Sequence, residues 1–506
     1  MPAPDQLYAR FLELCERLNI DLSKVVGLLT YDPASPLLFN TGLFLLLFAG
    51  FLAVYRLLRH FRTVRMLFTI LFSLYFYYKS SGLCVLILLG VACSDWLLGL
   101  WMGAVSRGWI RRLIVALNVC VNVGMLLYFK YFNLIVDTIG QFFDTRIDFE
   151  TLLLPAGISF FTFRSISYIV DLYRGVLSPC RSLLDYVFYL TFFPPLLAGP
   201  VVRARDMLPQ VASAPVISRR MVGEGIWLIM LGIVKKMVIA DFISGNFVDR
   251  VFDNPALYSG FENMMASIGF TIQLYCDFSG YSDMAIGIAL LLGFRFKENF
   301  NAPFKAQNPT EFWHRWHISL STWLRDYVYI PLGGNRCSRA RAYFNQFTTM
   351  VVGGLWHGAS WMYAIWGTAH GILLVGHKML RSLLPGLKTV AWLRPINMLV
   401  TFLLVSAIFM LFRSPSLDDV QMMWHQIIYD FHLSVAPQFV EGYLTIVIAL
   451  GVGYFVHIAP RCITDPFRRV VIAAPLPIQA ILLAIVLLVA IQVRQADIVP
   501  FIYLQY

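Results

Sequence analysis

Charged side chains are scarce in this sequence of 506 residues. Asp, Glu, Lys and Arg together make up 14% of it, whereas hydrophobic residues make up 58%. Soluble globular domains average about 25% charged residues, so the composition excludes an ordinary soluble domain. Because the apolar runs have the length of membrane-spanning helices, the sequence predicts an all-α polytopic membrane protein.

Several signatures of other protein classes are missing. The eight cysteines show no Cys-x-x-Cys or Cys/His spacing of a zinc site, so no metal is expected. No Gly-x-Ser-x-Gly elbow occurs, which argues against a serine acyl-enzyme of the hydrolase type. No ATP-binding loop, internal repeat or soluble domain is visible. The net charge of +11 does not indicate nucleic-acid binding, because the basic residues lie in short loops between apolar spans.

Twelve apolar stretches are candidates for membrane spans, which need about 20 mainly apolar residues each. They are residues 36–55, 66–78, 82–104, 110–129, 152–173, 221–243, 262–294, 342–360, 361–380, 390–412, 439–459 and 475–493. The stretch 184–202 is also apolar, but Pro194-Pro195 and Gly199-Pro200 interrupt it. We interpret it as a re-entrant segment or a broken helix, which is tolerated only where protein or water covers the freed backbone groups.

This pattern divides the chain into an amphipathic segment at the membrane surface (1–35), a transmembrane domain (36–494) and an aromatic tail (495–506). The positive-inside rule predicts that the arginine-rich loops are cytoplasmic. These loops run from Arg56 to Arg65, Arg107 to Arg112, Arg203 to Arg220, Arg295 to Arg341 and Arg461 to Arg469. In a cytoplasmic (inner) membrane both chain ends would then be extracytoplasmic, provided that 184–202 returns to the side from which it entered.

One histidine stands inside an apolar stretch, where residues 353–360 read Gly-Gly-Leu-Trp-His-Gly-Ala-Ser. An ionisable side chain at membrane depth is costly, usually faces a bundle interior or a wet cavity, and marks a site. Histidine is also the side chain whose proton moves near neutral pH. The sequence therefore makes His357 the candidate catalytic residue, with a buried structural histidine as the alternative.

Residues 312–334 form a second informative segment, which is too polar to span the membrane and unusually aromatic. It begins Phe-Trp-His-Arg-Trp-His-Ile-Ser and is predicted to line a cavity near the cytoplasmic face. On a helix, His314 and His317 would share one face and could bind a metal, although no third ligand stands nearby. An interfacial anchor with snorkelling cations is the other alternative. His370, one span further on, is predicted to be structural and to donate to a neighbouring carbonyl.

These two motifs, together with Arg-Asp-Tyr-Val-Tyr-Ile-Pro-Leu-Gly-Gly-Asn at 325–335 and Trp-Gly-Thr-Ala-His-Gly at 366–371, resemble the membrane-bound O-acyltransferase family. The likeness is to its bacterial branch, which handles cell-surface polymers such as alginate and teichoic acid. The motifs are confined to about 299–371, and the span pattern matches over most of 36–506. The resemblance implies a ring of about 11–12 tilted transmembrane helices with re-entrant segments and a central funnel. It also implies functional histidines at His357 and His317.

Acyl transfer from a thioester to a hydroxyl needs a base, donors for the oxyanion and the exclusion of water. We assign the base to His357, and the oxyanion donor to His317 or to a backbone N–H near 353–354. The donor is expected to arrive activated, as acyl-CoA or on an acyl-carrier protein, and no cofactor is expected to stay bound. Arg315 and Arg336 are the candidate donor-binding residues.

The last eight residues, 499–506, read Val-Pro-Phe-Ile-Tyr-Leu-Gln-Tyr. A terminal aromatic tail is often an interfacial belt, but this one resembles the short terminal motif of the same bacterial systems. Tyr503 offers a hydroxyl on a tether, which makes it the candidate transient acyl carrier at the outer mouth.

The sequence therefore predicts a lipid-embedded O-acyltransferase that moves an acetyl or similar short acyl group toward an extracytoplasmic polysaccharide and passes it to a second, SGNH-type transferase. D-alanyl transfer to teichoic acid from a carrier protein is the alternative within the family. A proton-coupled transporter is the alternative from another class, and four acidic residues in or near apolar stretches support it. These are Asp95, Asp171, Asp277 and Asp283. A scaffold without chemistry of its own would tolerate His357→Ala.

Overall fold

A computed structural model of the chain describes residues 21–33, 35–144, 154–213, 216–384, 391–493 and 501. Helices and the turns between them account for these residues, and no strand occurs among them. The predicted all-α class is therefore confirmed. Most of the predicted amphipathic segment (1–35) and Tyr503 lie outside the described residues.

Twenty-three α-helices occur in the described part of the chain. In chain order they are α1 Leu22–Leu29, α2 Gly42–Leu57, α3 Arg62–Ser81, α4 Val85–Ala104, α5 Gly108–Leu126, α6 Phe132–Phe142, α7 Ile158–Tyr173, α8 Leu183–Thr191, α9 Ala204–Ala212, α10 Arg219–Ile233, α11 Asp241–Ile243, α12 Asp249–Asp253, α13 Gly260–Leu291, α14 Pro309–Arg315, α15 Ile318–Leu324, α16 Arg339–His357, α17 Trp361–Leu383, α18 Arg394–Arg413, α19 Leu417–Tyr429, α20 Ala436–Gly442, α21 Leu444–Ile458, α22 Arg461–Ala473 and α23 Leu476–Val493. Four π-helical segments interrupt this order. They are Leu127–Tyr131, Val234–Ala240, Ser244–Val248 and Arg325–Tyr329.

Five continuous helical stretches of the described chain are long and apolar enough to cross a membrane, and a sixth joins two helices that are bent by 95°. Many of their apolar side chains are exposed on the protein surface, as on helix α23 at Ile481 and Leu488. This confirms a multi-pass membrane protein. The ring of 11–12 spans around a funnel stays a prediction.

The interrupted stretch 184–202 is covered by protein. Helix α8 ends at Thr191, before the two prolines. The guanidinium of Arg164, fully buried on helix α7, donates from Nη1 to the Leu190 carbonyl (3.2 Å) and from Nε to the Val202 carbonyl (3.3 Å). Because carbonyls freed inside a membrane protein must find donors, this one arginine stabilises both sides of the break.

Both ends of the interrupted segment lie on one face of the molecule. The Arg62 guanidinium nitrogen Nη2 donates to Asp185 Oδ1 at 3.2 Å and to the Val211 carbonyl at 3.2 Å. Asp185, at the start of the stretch, and Val211, nine residues after its end, therefore both lie beside the Arg62 loop. We call this side, which also carries Arg205 and Arg295, the basic face.

Ion pairs tie the loops of the basic face together. Asp326 Oδ2 accepts from Arg203 at 2.6 Å and from Arg205 at 3.3 Å, and its Oδ1 accepts from Arg325 at 2.8 Å. Burial by itself raises the pKa of this carboxyl, but the hydrogen bonds from Arg325 and Arg203 outweigh that effect and lower the pKa to about 2. The opposite face has its own links, such as the ion pair of Arg413 with Asp249 at 2.8 Å. That the basic face is cytoplasmic stays a prediction.

Candidate active site

His357 is the last residue of helix α16 and is only 6% exposed. Aromatic rings surround its imidazole, with the ring centroids of Trp366 and Phe412 at 4.9 and 5.5 Å. The extended backbone of Gly358 then turns the chain toward helix α17. The apolar surroundings predicted for this histidine are therefore present.

The glycines before His357 serve helix packing. A Cβ added to Gly354 would lie 2.4 Å from the Tyr363 carbonyl oxygen and 2.8 Å from Gly367 Cα. The backbones of helices α16 and α17 are therefore in direct contact at this point. The N–H groups of 353–354 lie inside helix α16, where they bond to carbonyls four residues earlier. The prediction that one of them holds an oxyanion is therefore wrong.

His317 reaches the same depth from the basic face. Helix α14 stops at Arg315, and His317 takes a left-handed conformation with φ of 43° before helix α15 begins. Its fully buried ring packs edge-on against Phe278 at 4.6 Å. Phe278 stands 13 residues before the end of helix α13, which is about 20 Å at 1.5 Å per residue. The segment 312–334 thus reaches into the protein interior at His317, whereas the interfacial-anchor alternative expected its side chains at the surface.

The break in the helix also separates the two histidines that could have shared a metal. His314 is exposed, whereas His317 is buried. They do not share the one helix face that their spacing suggested, because the helix ends between them. No group of three His, Cys, Asp or Glu side chains in the described ranges is arranged to hold a metal ion.

His317 and His357 come together. Their ring centroids lie 6.4 Å apart, although 40 residues separate them in the chain. Trp356 lies beside both rings, with centroids at 6.0 Å from His317 and 5.1 Å from His357. The arrangement is a pair of imidazoles in a dry, aromatic environment, which is suited to moving a proton without competing water.

Asn299 fixes the orientation of the His317 ring. Its side-chain oxygen accepts from the Ser319 N–H (3.2 Å) and the Ser319 hydroxyl (2.8 Å), and lies 3.2 Å from His317 Nδ1. Since a backbone N–H can only donate, the bonded atom is the amide oxygen, and His317 must donate from Nδ1. The neutral ring then carries a lone pair on Nε2. His317 can therefore accept a proton there, and it can donate to an oxyanion only when it is protonated.

A cavity of about 490 Å³ leads from the basic face to Asn299. Its lining includes four cationic side chains, those of Lys235, Arg295, Lys305 and Arg468. Lys235 forms an ion pair with Asp283 at 2.6 Å. A second cavity of about 950 Å³ shares Arg468 with the first and adds Arg219, Arg220 and Arg469. The cations that line the two cavities are therefore on helices α10 and α22 as well as on the segment after helix α13.

The structure does not bring the two predicted donor-binding arginines to these cavities. Arg315 donates from Nε and Nη2 to Glu311 at 3.0 and 2.8 Å, and from Nη1 to the Asn301 carbonyl. Arg336 is exposed on the basic face. Neither side chain lines the cavity that leads to Asn299. The Glu311 bond of Arg315 has helical i, i+4 spacing, a local signal that sequence reasoning could have used.

The end of the chain meets a buried charge cluster. Lys236 Nζ contacts carboxylates of Asp277 and Asp241, the latter at 2.8 Å, with no exposed side-chain area of its own. Phe501 places its ring 4.7 Å from that ammonium and 4.4 Å from the Tyr281 ring centroid, and it is itself buried. The alternative of a tail that only lines the interface does not fit Phe501, which is buried.

The other ionisable residues predicted at membrane depth are built into the helix packing. Asp95 accepts from Asn118, Ser165 and Tyr186, and thereby links helices α4, α5, α7 and α8. Asp171 accepts from the Tyr327 hydroxyl at 2.8 Å.

His370 lies among aromatic rings, with the Trp366 centroid at 4.8 Å and the Trp313 centroid at 5.1 Å. Within the described chain neither of its ring nitrogens has a hydrogen-bond partner. It therefore packs as the sequence predicted, but the predicted bond to a carbonyl is not formed there.

Comparison with known proteins decides the family. The profile described as MBOAT, membrane-bound O-acyltransferase family, matches residues 177–412. The probable alginate O-acetylase AlgI of Pseudomonas aeruginosa is 41% identical over 399 residues, which cover 77% of this chain and 74% of that protein. The chain belongs to the membrane-bound O-acyltransferase family. The predicted resemblance is confirmed, and the enzyme is an O-acyltransferase, so the transporter and scaffold alternatives no longer hold.

Two further relatives show the range of the family around this chain. The peptidoglycan O-acetyltransferase of Helicobacter pylori is 34% identical over 420 residues, or 76% of this chain and 78% of that protein. The teichoic acid D-alanyltransferase of Bacillus subtilis is 31% identical over 239 residues, or 44% of this chain and 59% of that protein. The matched region 177–412 contains His317, His357 and Asn299.

Proposed function

We propose that this membrane protein transfers an acetyl or similar short acyl group from a cytoplasmic thioester donor toward an extracytoplasmic polysaccharide. The single observation that carries the proposal is the pair of buried imidazoles, His317 and His357, of which His317 contacts Asn299 in the lining of a cavity that opens on the basic face. An acyltransferase that serves an external polymer needs such a site, reached by the donor from the side where activated acyl groups are made.

The residues present can perform the reaction in two steps. A substrate hydroxyl gives its proton to His357, and its oxygen attacks the thioester carbonyl carbon, so that the C=O π electrons move to oxygen. The tetrahedral intermediate then collapses, the C–S bond breaks, and the leaving thiolate takes the proton back from His357. His317, whose Nε2 carries the lone pair, lies beside His357 as a second acceptor for that proton, and the surrounding rings exclude water that would hydrolyse the thioester.

The cavity suits a donor that carries phosphate. Coenzyme A and the phosphopantetheine of a carrier protein share a long, narrow thiol arm and anionic phosphate. Arg468, Arg469, Arg219 and Arg220 surround the outer cavity, where they would hold phosphate by charge-assisted hydrogen bonds. The arm would then follow the inner cavity toward Asn299.

An acetyl group is favoured over D-alanine by the extent of similarity. The alginate O-acetylase of Pseudomonas aeruginosa and the peptidoglycan O-acetyltransferase match about three quarters of this chain, whereas two D-alanyltransferases match 54% and 44% of it. We therefore propose acetyl transfer to a polysaccharide, with a separate SGNH-type transferase as the final partner. D-alanylation remains the second candidate.

We further propose that Tyr503 carries the acyl group in transit. Tyr503 lies outside the described residues, but Phe501, two residues before it, is buried between Lys236 and Tyr281. Two residues of extended chain span about 7 Å at most, which limits the distance between Tyr503 and buried Phe501. Tyr281 is three residues along helix α13 from Phe278, the ring that contacts His317.

The role of the histidines is tested by His357→Ala and His317→Ala, with His314→Ala as the matched control on the exposed side of the same segment. Losing a general base lowers the rate by about 10²–10⁴-fold. We expect a loss of that size for His357→Ala, a smaller loss for His317→Ala and none for His314→Ala. The measurement is consumption of acetyl-CoA by purified protein in proteoliposomes, together with the O-acyl content of the polymer. Normal activity of His357→Ala in folded protein would overturn the assignment.

The carrier role is tested by Tyr503→Phe, which removes the hydroxyl and keeps the ring, with Tyr506→Phe as its control. Polymer acylation should stop in the first variant and continue in the second. Mass spectrometry of the wild-type C-terminal peptide should find an acyl ester on Tyr503. Full acylation by Tyr503→Phe would favour direct transfer from the thioester to the hydroxyl of the partner.

The donor route is tested by charge reversal. Arg468→Glu should raise the KM for acetyl-CoA at least tenfold at low salt and less at high salt, because screening weakens exposed charge interactions. Arg336→Glu changes charge equally on the same face but away from the cavity, so its KM should stay within twofold. Equal effects of the two variants would show that only the overall charge of the face matters.

A further inference from the structure

A buried lysine contacts the helix end that carries His357. Lys130 is 7% exposed, and its Nζ donates to the Trp356 carbonyl at 2.6 Å and to the His357 carbonyl at 3.2 Å. A third bond of 3.2 Å joins it to the Ser159 hydroxyl on helix α7. The next residue, Tyr131, donates its hydroxyl to the Leu355 carbonyl. The side chains of Lys130 and Tyr131 thus donate hydrogen bonds to three consecutive carbonyls, those of residues 355–357.

Those carbonyls need partners from outside their own helix. The last four C=O groups of an α-helix have no intrahelical N–H, and helix α16 ends at His357 with an extended Gly358 behind it. In an apolar interior a carbonyl without a donor is costly. Lys130 and Tyr131 lie in the π-helical segment Leu127–Tyr131, and such π-bulges are frequent at functional sites. The altered turn presents both side chains to the end of helix α16.

We propose that Lys130 is a positioning residue for His357. Its ammonium holds the last turn of helix α16 by the backbone of the histidine itself, and it favourably meets the negative end of the helix dipole. The position of the His357 imidazole relative to His317 is then determined by contacts from the region of helices α5, α6 and α7. The packing of helix α16 against helix α17 does not determine it alone. This inference rests on the proposed function, in which His357 is the base.

A purely structural cap would not require a cation. The Tyr131 hydroxyl performs the same task at Leu355 without a charge, and burying an ammonium in an apolar interior carries a desolvation penalty. What the ammonium adds is three donors from one atom. Two of them are used on the adjacent carbonyls of Trp356 and His357, which a hydroxyl with its single proton could not bind together.

The test is a graded series at position 130. Lys130→Arg keeps charge and several donors, Lys130→Gln keeps donors without charge, and Lys130→Met keeps length alone. A displacement of about 1 Å at a catalytic group can cost 10²-fold in rate. We expect kcat to fall least for Lys130→Arg, about tenfold for Lys130→Gln and about a hundredfold for Lys130→Met, with the KM for acetyl-CoA unchanged. Tyr131→Phe, which releases only the Leu355 carbonyl, should lower kcat less than threefold.

The outcomes separate this inference from the proposed function. If His357→Ala is active, the proposal that His357 is the general base is refuted. If His357→Ala is inactive but Lys130→Met has a normal kcat, only the positioning role of Lys130 is refuted. A rise in KM equal to the fall in kcat would show general damage and would also contradict it. If Lys130→Met does not fold in detergent, the order of Lys130→Arg above Lys130→Gln in kcat decides the question. Equal kcat values of wild type, Lys130→Arg and Lys130→Gln would overturn the inference.

Discussion

Replacing Asn299 by leucine removes the acceptor that determines which nitrogen of His317 carries the proton. In the wild type the amide oxygen accepts from His317 Nδ1, from the Ser319 N–H and from the Ser319 hydroxyl. The amide nitrogen donates to the Ser282 hydroxyl at 3.1 Å. Leucine has a similar volume but cannot accept any of these bonds. The side chain is 1% exposed, so water does not easily replace the lost oxygen.

The size of the effect follows from the donors that are left behind. The Ser319 hydroxyl can rotate to another acceptor, but the Ser319 N–H is fixed and the His317 Nδ1–H can be relieved only by moving its proton. A buried donor without an acceptor costs about 1–3 kcal/mol, so the fixed N–H alone should lower the free energy of unfolding by that amount. His317 escapes the same penalty by taking the other tautomer, which places a proton on Nε2 and a lone pair on Nδ1, where no substrate reaches.

The catalytic consequence is therefore separable from the loss of stability. We expect kcat for Asn299→Leu to fall about 10²-fold, at the lower end of the contribution of a proton-transferring group. Asn299→Asp keeps an oxygen toward His317 and Ser319 and should retain most of the activity. Ser282→Ala loses only the bond on the amide nitrogen, which is worth about 1 kcal/mol, and should leave kcat within twofold.

The assay is acetyl-CoA consumption in proteoliposomes at saturating donor, with thermal unfolding in detergent measured for each variant. A second readout is the imidazole tautomer, which 15N NMR of selectively labelled histidine reports directly. Wild-type protein should show a protonated Nδ1 on His317, and Asn299→Leu should show a protonated Nε2. A folded Asn299→Leu variant with wild-type kcat would refute the reasoning, as would an unchanged tautomer.

Three further predictions concern the scaffold of the site. Arg164→Met should lower the free energy of unfolding by about 2–6 kcal/mol, because two buried carbonyls lose their donor at about 1–3 kcal/mol each. An unchanged melting temperature in detergent would contradict the role of Arg164 at the break. Gly354→Val should prevent helices α16 and α17 from packing together, so that size-exclusion chromatography finds no folded protein. At Gly376 an added Cβ meets nothing within 4 Å, so Gly376→Val should behave as wild type. The pKa of Asp326 is lowered from 3.8 to about 2, so its stabilising contribution is complete above pH 4 and is lost as pH falls toward 2. The melting temperature of wild type should therefore drop more steeply across that window than that of Asp326→Asn, and parallel curves would count against the ion network.

Hydropathy determined the helices because it is a local property of the chain. The predicted span 262–294 is helix α13, Gly260–Leu291, and the predicted span 475–493 is helix α23, Leu476–Val493. The break at 184–202 was also readable, since proline cannot continue a helix. The same locality explains why His357 could be identified: a histidine among apolar residues is visible without any knowledge of its neighbours.

In the second motif, the backbone conformation of one residue made the prediction from helical spacing wrong. Helical spacing placed His314 and His317 on one face, but the left-handed backbone of His317 ends that helix and sends the two side chains in different directions. No periodicity in the sequence marks such a residue. The burial of Trp316 and Trp323 likewise depends on how deep the segment lies in the protein, which no local pattern of residues indicates.

By itself, then, the sequence determined an all-α membrane protein and its family, and it indicated His357 as the residue of a candidate site. Only the tertiary structure decided that His317 lies 6.4 Å from His357, that Asn299 sets its tautomer, and that Lys130 holds the helix end 226 residues away in the chain. The physical reason is the range of the interactions. Apolar length and helix breaks act within one segment, whereas a buried polar atom must find its partner wherever the packing of other helices places one.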